Sequence, residues 1–171
     1  MKNTLKDSRT GGVAVYKTTV ETEFCGDFVK LSFDCENSVC YCPYEENNAP
    51  IYKGDVCEAF LCADETRKEY LETEVAPNGT VFAARIINED GKLSPQMLDN
   101  VLFDVQVEKT GTGYKAEYKI DLKKVGMNGK KLVGNLFRID TDGGESNKHL
   151  FALSPTLCGT FHKPEKFIAL N

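Results

Sequence analysis

The chain has 171 residues, of which 41% are hydrophobic and 27% charged, and this size and balance predict one globular domain over residues 1–171. No apolar stretch approaches the roughly eighteen residues of a membrane span, so we expect a soluble protein with no membrane partner. The net charge of -5 is spread over both signs, and the ten Phe and seven Tyr are not interleaved with Arg or Lys clusters. This pattern excludes nucleic acid as an expected partner and leaves the oligomeric state open.

Alternation of apolar and polar residues with period two dominates the sequence, and turn residues interrupt it throughout. About a dozen short strands of this kind predict an all-β fold, an antiparallel two-sheet β-sandwich of the jelly-roll or immunoglobulin-like type. Between Leu93 and Asn100 the alternation weakens, which predicts a loop or a single helical turn. The predicted strands are Gly12–Thr19, Asp27–Asp34, Val39–Tyr44, Asp55–Cys62, Glu69–Val75, Thr80–Ile87, Leu102–Glu108, Tyr114–Asp121, Lys131–Asp140, Lys148–Leu153 and Lys166–Leu170.

Two pairs of these strands are predicted to form hairpins. Residues Thr110–Gly113 connect Leu102–Glu108 to Tyr114–Asp121 as a short loop that contains glycine. The turn Pro77–Gly79 joins the strand before it to the strand after it, because its Asn-Gly pair tolerates the positive φ values of a tight turn.

Three charged residues lie in strands whose neighbouring residues are apolar. The strand Asp55–Cys62 is apolar on both faces, yet it contains Glu58, and Arg85 and Arg138 have similar surroundings. A buried charge of this kind is either paired or faces a cavity. The pattern therefore predicts either one polar site on which the three charges converge or a structural network of ion pairs across a sheet.

Several motifs follow one another in a fixed order over roughly residues 24–171, and together they resemble the family 9-like carbohydrate-binding modules, which are related to the DOMON sandwiches. The segment Tyr52–Leu61 is similar to the family's strand with an aromatic residue followed by Asp-x-Val-Glu-x-Phe, and Phe161–Phe167 is similar to its terminal Phe-His-x-Pro-x-x-Phe motif. The other matching segments are Tyr70–Thr80, the Arg85 strand, Tyr114–Ile120, Gly134–Ile139 and Phe151–Pro155.

The resemblance implies a slot in which two aromatic side chains clamp a sugar ring while polar groups bind its hydroxyls. Tyr52 would be one clamp, and Glu58 would accept hydroxyl hydrogen bonds. Arg85 and Arg138 would be the donors. The chain contains no Trp, and Leu153 stands where sugar-binding members have the second aromatic. Phe151 shares its strand face and is expected to substitute in part.

Three functions remain open at this stage. The leading one is non-catalytic binding of a mono- or oligosaccharide or a glycan end. The second is a sandwich with a degenerate sugar site that acts as a structural or protein-interaction domain. The third is a glycosidase, in which Glu58 needs a second acid about 5 or 9 Å away. Because no second acid is recognisable on an apolar strand face, we expect no enzyme activity and no catalytic residue.

Metal and cofactor sites receive little support from the spacing of candidate ligands. Cys35 and Cys40 are five residues apart, as are Cys57 and Cys62, so each pair points to opposite faces of a strand. We therefore expect the seven cysteines to be small buried hydrophobic side chains. We expect no cofactor, and structural calcium in the oxygen-rich loop Asp140–Glu145 stays open.

The two histidines lack any motif that specifies a nucleophile. His162 belongs to the terminal motif and is expected to be structural, and His149 with Met97 would be the ligands if the chain held haem. The odd number of cysteines is typical of a reducing compartment. Since the first nine residues contain no apolar core of a signal peptide, we expect a cytoplasmic location for the chain as written, or secretion if a signal peptide was removed.

Overall fold

The computed structural model describes residues 1–37 and 39–171. Its helical elements are single 3-10 turns at Ile51–Lys53 and Pro164–Lys166, and within the described residues no helix could span a bilayer. The strands in chain order are β1 (Lys2–Thr4), β2 (Lys6–Asp7), β3 (Thr18–Cys25), β4 (Phe28–Glu36), β5 (Val56–Cys62), β6 (Glu69–Val75), β7 (Val81–Glu89), β8 (Lys92–Met97), β9 (Leu102–Lys109), β10 (Gly113–Asp121), β11 (Val133–Asp140), β12 (His149–Ala152) and β13 (Ile168–Ala169).

The strands form two antiparallel sheets. The smaller sheet has the order β1-β3-β4-β10-β9, and the larger has the order β2-β12-β11-β5-β6-β7-β8, with β13 paired to β11. The chain passes from the smaller to the larger sheet at Leu5, whose side chain is buried between them. The predicted all-β sandwich is confirmed, and so are both predicted hairpins.

The first core lies between the two sheets. Alternate residues of the smaller sheet, such as Leu31 and Phe33 on β4, meet alternate residues of the larger sheet, such as Ala59 and Leu61 on β5. Phe33 stacks on Tyr118 with ring centroids 6.2 Å apart. Full burial of each large side chain stabilises the fold by about 1.5–3 kcal/mol, so this alternation holds the sheets together.

A second core covers the outer face of the larger sheet. Phe60, Phe137 and Ile139 point away from the first core and are buried by two irregular segments. Residues 41–55 form the first covering segment and contribute Ile51. Residues 156–170 form the C-terminal segment and contribute Phe161, among others. Strand β5 is therefore buried on both faces, which explains why its sequence is apolar at almost every position.

Two of the predicted strands, Val39–Tyr44 and Gly12–Thr19, are wrong in whole or in part. Residues 39–44 do not form a strand. Residues 41–44 belong to the first covering segment, which Asp55 fixes because its N–H donates to the carbonyl of Tyr41 and its carboxylate accepts from the N–H of Tyr41. The strand predicted at Gly12–Thr19 begins only at Thr18. Gly11 has a positive φ, and the preceding residues form a turn closed by the Asp7 carboxylate.

The prediction of a loop or helical turn between Leu93 and Asn100 is wrong over its first half. Residues Lys92–Met97 form β8, which pairs with β7 at the edge of the larger sheet. Every residue of β8 is exposed, so no apolar face produced the alternation that identifies a strand. Pro95 is compatible with this position because an edge strand does not need all its N–H donors.

In the predicted hairpin turn at Asn78-Gly79, only Gly79 adopts a positive φ.

Candidate functional site

A cavity of about 430 Å³ opens on the outer face of the larger sheet, a volume within the range of small-ligand sites. Side chains of the sheet form its floor, Tyr52 of the 41–55 segment lies at its rim, and residues 159–162 of the C-terminal segment lie along another side. Phe60, Phe82 and Ile86 supply apolar surface. We call this feature the outer-face cavity.

Three carboxyl groups meet in the floor of the outer-face cavity. Glu58 lies on β5 directly opposite Glu74 on β6, and Glu72 is two residues from Glu74, so all three point to the same face. One carboxylate oxygen of each lies within 4.8 Å of the others. All three residues are buried. We call them the acid cluster.

Burial governs the protonation of the acid cluster. Loss of hydration raises the pKa of Glu72 to about 7. Burial raises the pKa of Glu58 well above its ordinary range, and the charge of Glu72 adds to the effect. The pKa of Glu74 is raised well above its ordinary range by burial and by the charges of Glu58 and Glu72. Near neutral pH, the cluster therefore holds protons unless a cation compensates its charge.

The rim of the outer-face cavity carries an exposed aromatic ring. Tyr52 lies in the first 3-10 turn, and 46% of its surface is exposed. Lys148 donates a hydrogen bond of 2.7 Å from Nζ to the carbonyl oxygen of Tyr52, and this nitrogen lies 5.7 Å from the centre of the Tyr52 ring. The contact fixes the turn against the residues that precede β12.

The C-terminal segment is anchored by aromatic contacts. Phe161 stacks on Phe137 with ring centroids 4.1 Å apart. The Nδ1 atom of His162 shares a 2.8 Å hydrogen bond with the hydroxyl of Tyr70, and its ring packs on Phe60. Burial lowers the pKa of His162 to about 4, so it is uncharged at neutral pH. These contacts give His162 a structural role while its ring still borders the cavity.

Of the predicted site residues, only Tyr52 and Glu58 lie at the outer-face cavity. The prediction that Glu58, Arg85 and Arg138 converge is wrong, because both arginines lie on the opposite face of the sheet. Arg138 is fully buried between the sheets, where it pairs with Asp140 and donates to the Thr18 hydroxyl. It is a structural ion pair of the first core.

The remaining three predicted residues also point away from the cavity. Arg85 lies opposite Leu71 at the margin of the first core and forms a partly exposed ion pair with Glu69. Phe151 is fully buried beside the Arg138 guanidinium, and Leu153 packs against the same core. Phe151 therefore cannot replace a missing aromatic clamp, because a sugar cannot reach it without separating the sheets.

The expectation that Glu58 has no acidic neighbour on an apolar face is also wrong. Glu72 and Glu74 alternate with Leu71, Thr73 and Val75, a pattern that indicates a strand with one solvated face. The two covering segments bury that face, and their position depends on contacts distant in sequence. The sequence feature that could have indicated the acid cluster is the Glu-x-Glu pair Glu72 and Glu74, because its strand neighbours the apolar strand β5.

The other candidate ligands are engaged in contacts of their own or lie far apart. In the Asp140–Glu145 loop, the carboxylates of Asp140 and Asp142 accept hydrogen bonds from the Asn37 amide, and Asp142 also contacts His149 at 2.7 Å. His149 on β12 and Met97 on β8 are five strands apart, about 24 Å, which is too far for both to ligate one haem. Calcium in the loop stays a prediction.

The two-sheet fold of this chain is similar to that of solved family 9 carbohydrate-binding modules. No protein-family model matches the sequence, and no curated protein matches it. Solved structures do match.

A candidate carbohydrate-binding protein from Bacteroides uniformis is similar with a TM-score of 0.77 and 13% identity, over 99% of this chain and 84% of that one. A family 9 carbohydrate-binding module from Caldicellulosiruptor kristjanssonii in complex with glucose has a TM-score of 0.68 and 14% identity, over 96% of this chain and 81% of that one. A family 9 carbohydrate-binding module from the same organism in complex with cellotriose has a TM-score of 0.62 and 14% identity, over 89% of this chain and 71% of that one. At this identity the likeness establishes the fold.

Proposed function

We propose that the outer-face cavity binds a saccharide and does not hydrolyse it. The observation that carries the proposal is the position of one exposed aromatic ring, Tyr52, at the rim of a cavity whose floor contains carboxyl oxygens without partners. Sugar rings have apolar C–H faces that pack on aromatic rings, and their hydroxyls need acceptors and donors. The cavity offers both kinds of contact to one ligand.

The floor of the cavity provides the polar recognition. In the described part of the chain, Oε1 of Glu58 and both carboxyl oxygens of Glu74 are buried and accept no hydrogen bond from a permanent donor, although Glu74 can share a proton with Glu72. An unmet buried acceptor costs about 1–3 kcal/mol, and a bound hydroxyl recovers this free energy. A protonated carboxyl can also donate, so the acid cluster suits a ligand whose hydroxyls act as donors and acceptors.

Similar solved structures support this class of ligand, since family 9 modules from Caldicellulosiruptor kristjanssonii are solved in complex with glucose and with cellotriose. The present site differs from a two-sided clamp. Phe60 is fully buried, Phe82 and Phe161 are 7% and 6% exposed, and the half-buried His162 ring is bound to Tyr70. Among the described residues of the cavity lining, Tyr52 is therefore the exposed aromatic ring, and stacking on one face predicts weak affinity.

Hydrolysis of a glycoside is the second candidate, and the acid cluster favours it. Retaining glycosidases hold two carboxyl groups about 5–5.5 Å apart, one protonated and the other ionised. Glu58 and Glu74, whose pKa values are raised well above their ordinary range, provide the protonated acid, and Glu72, whose pKa is raised to about 7, is the ionisable partner near neutral pH. Release of the aryl alcohol from aryl glycosides, lost in Glu58→Gln, would support this candidate; no release by the wild type contradicts it.

Calorimetric titration with a panel of mono- and oligosaccharides, including glucose and cellotriose, tests the binding proposal. We expect saturable binding by the wild type and loss of binding in Tyr52→Ala and Glu58→Gln. Phe103→Ala is the matched control, because it removes a half-buried aromatic ring of the smaller sheet that contacts Phe28. If the wild type binds no saccharide of the panel, the result contradicts the proposal and favours a structural or interaction domain.

A further inference from the structure

The acid cluster places three carboxyl groups together, and the described residues provide no ion pair that would neutralise them once they ionise. Glu58 and Glu74 lie directly opposite each other on neighbouring strands, where like charges destabilise a sheet. Glu72 adds a third carboxyl group on the same face. In the described part of the chain, no salt bridge involves any of the three. The arrangement needs protons or a bound cation.

The basic groups that border the cavity are engaged elsewhere or uncharged. The Lys148 ammonium donates to the Tyr52 carbonyl oxygen, and its charge acts on Glu58 and Glu74 only from a distance. His162 is bound to Tyr70 and lacks a charge. Arg9 lines the cavity without an ion pair to the cluster. A cation that enters the cavity therefore meets three carboxyl groups and no bound competitor.

The spacing of the carboxyl oxygens fits a single ion. Three donor atoms that all lie within 4.8 Å of one another share a point that is at most about 2.8 Å from each, close to the 2.3–2.6 Å of Ca²⁺–oxygen bonds. Small side-chain rotations close the difference. We propose that Glu58, Glu72 and Glu74 bind one divalent cation of the calcium class in the floor of the outer-face cavity.

The donor chemistry selects the type of ion. All three ligands are hard carboxylate oxygens, which suit Ca²⁺ and Mn²⁺, whereas the cluster contains no thiolate or imidazole for Zn²⁺. Mg²⁺ requires shorter bonds of about 2.0–2.1 Å in a near-ideal octahedron, which demands a larger contraction of the cluster. Ca²⁺ takes six to eight oxygens, so the open side of the cavity leaves positions for water.

Buried oxygens without partners distinguish this cluster from an ordinary acidic patch. Oε1 of Glu58 and both oxygens of Glu74 are shielded from solvent and accept no hydrogen bond from a permanent donor. Glu74 shares a hydrogen bond with the Glu72 carboxyl only while one of the two is protonated. Exposed carboxylates elsewhere, such as Glu21 and Glu117, already pair with lysines. A cation coordinated by the cluster satisfies these oxygens and removes the repulsion between β5 and β6, so its binding should stabilise the fold.

The test is calorimetric titration of the chelator-treated full chain with CaCl₂, without any saccharide, followed by thermal unfolding with and without the ion. We expect one saturable site near pH 7.5, a rise in Tm, and a loss of affinity on the order of tenfold or more in Glu74→Gln. The affinity should fall at pH 5.5, since the carboxyls must lose protons to coordinate.

Glu69→Gln is the matched control, because Glu69 lies on the same strand β6 but is exposed and paired with Arg85. It should bind Ca²⁺ like the wild type. No saturable heat and no change in Tm with Ca²⁺ or Mn²⁺ would overturn the proposal, as would wild-type affinity in Glu74→Gln. Because no sugar is present, failure here leaves the saccharide proposal to be judged by its own titration.

Discussion

Burial, more than the number of acids, decides how Glu58, Glu72 and Glu74 behave. A solvated carboxyl keeps its ordinary pKa, whereas these groups lose hydration in a cavity with apolar surface, and their pKa values rise. The same shift links folding to pH, because the folded chain binds protons that the unfolded chain has released.

Stability should therefore fall with rising pH through the titration of Glu72. Its pKa is raised from an ordinary 4.5 to about 7 in the folded chain, so its contribution is fully present below pH 4.5 and is lost as the pH rises to about 7. The shift corresponds to about 3 kcal/mol. Urea unfolding between pH 4.5 and 8, with chelator present, should show wild-type stability falling relative to Glu72→Gln. Parallel curves for the two proteins would contradict the assignment.

The two arginines that the sequence placed in one site should differ sharply on substitution. Arg138→Met leaves Asp140 as an uncompensated charge between the sheets, which costs about 3–5 kcal/mol. Arg85→Met removes a partly exposed pair with Glu69, which is worth about 0–1 kcal/mol. Urea unfolding at neutral pH compares the two variants. Equal losses of stability would contradict the opposite environments of these side chains.

At the scale of single elements, period-two patterns predicted the strands that pack on a core and failed where burial comes from covering segments. Both hairpins and the doubly apolar β5 followed from sequence. The pattern missed β8, which is exposed throughout, and assigned a strand to residues 39–44, which cover a sheet instead of extending it. Tyr52 was predicted from the resemblance, and Glu58 was predicted both from its position in an apolar strand and from the resemblance. Glu72 and Glu74 were missed because local alternation does not reveal what packs on an outer face.

The C-terminal segment should behave as part of the core. Phe161 is 6% exposed and stacks on Phe137, so Phe161→Ala should lower the free energy of unfolding by about 3 kcal/mol. Leu157→Ala in the same segment is the control, since Leu157 is 57% exposed and should change stability by less than about 0.5 kcal/mol. Chemical unfolding measures both variants, and similar values for the two would show that the segment does not cover the sheet.

Over the whole molecule, the sandwich brings together residues whose relation the sequence does not reveal. Cys35 of the smaller sheet and Cys57 of the larger sheet face each other across the first core, with sulfur atoms 3.5 Å apart. Sequence spacing had compared cysteines within single strands. All seven cysteines are free thiols. The expectation that they are buried is confirmed for Cys35, Cys57 and Cys62 and is wrong for the other four, which are half-buried.

Thiol labelling should report whether the two sheets pack against each other around Cys35 and Cys57. Burial raises the pKa of the Cys57 thiol well above its ordinary range, which removes the reactive thiolate, and the Cys35 sulfur is equally inaccessible. With iodoacetamide and peptide mapping, the native chain should be labelled at Cys158 and Cys25 long before Cys35 or Cys57. Denaturant should make all seven reactive. Fast native labelling of Cys35 would mean that the sheets do not pack as described.

The most direct test of where this protein binds its ligand is an NMR titration of the isotope-labelled chain with the saccharide that gives the largest calorimetric signal. We expect chemical-shift changes confined to the outer face of the larger sheet, at Tyr52, Glu58, Glu74 and residues 159–162, with Arg138 and Phe151 unchanged. Shifts centred on Arg138 and Phe151, or on the smaller sheet, would contradict a site in the outer-face cavity.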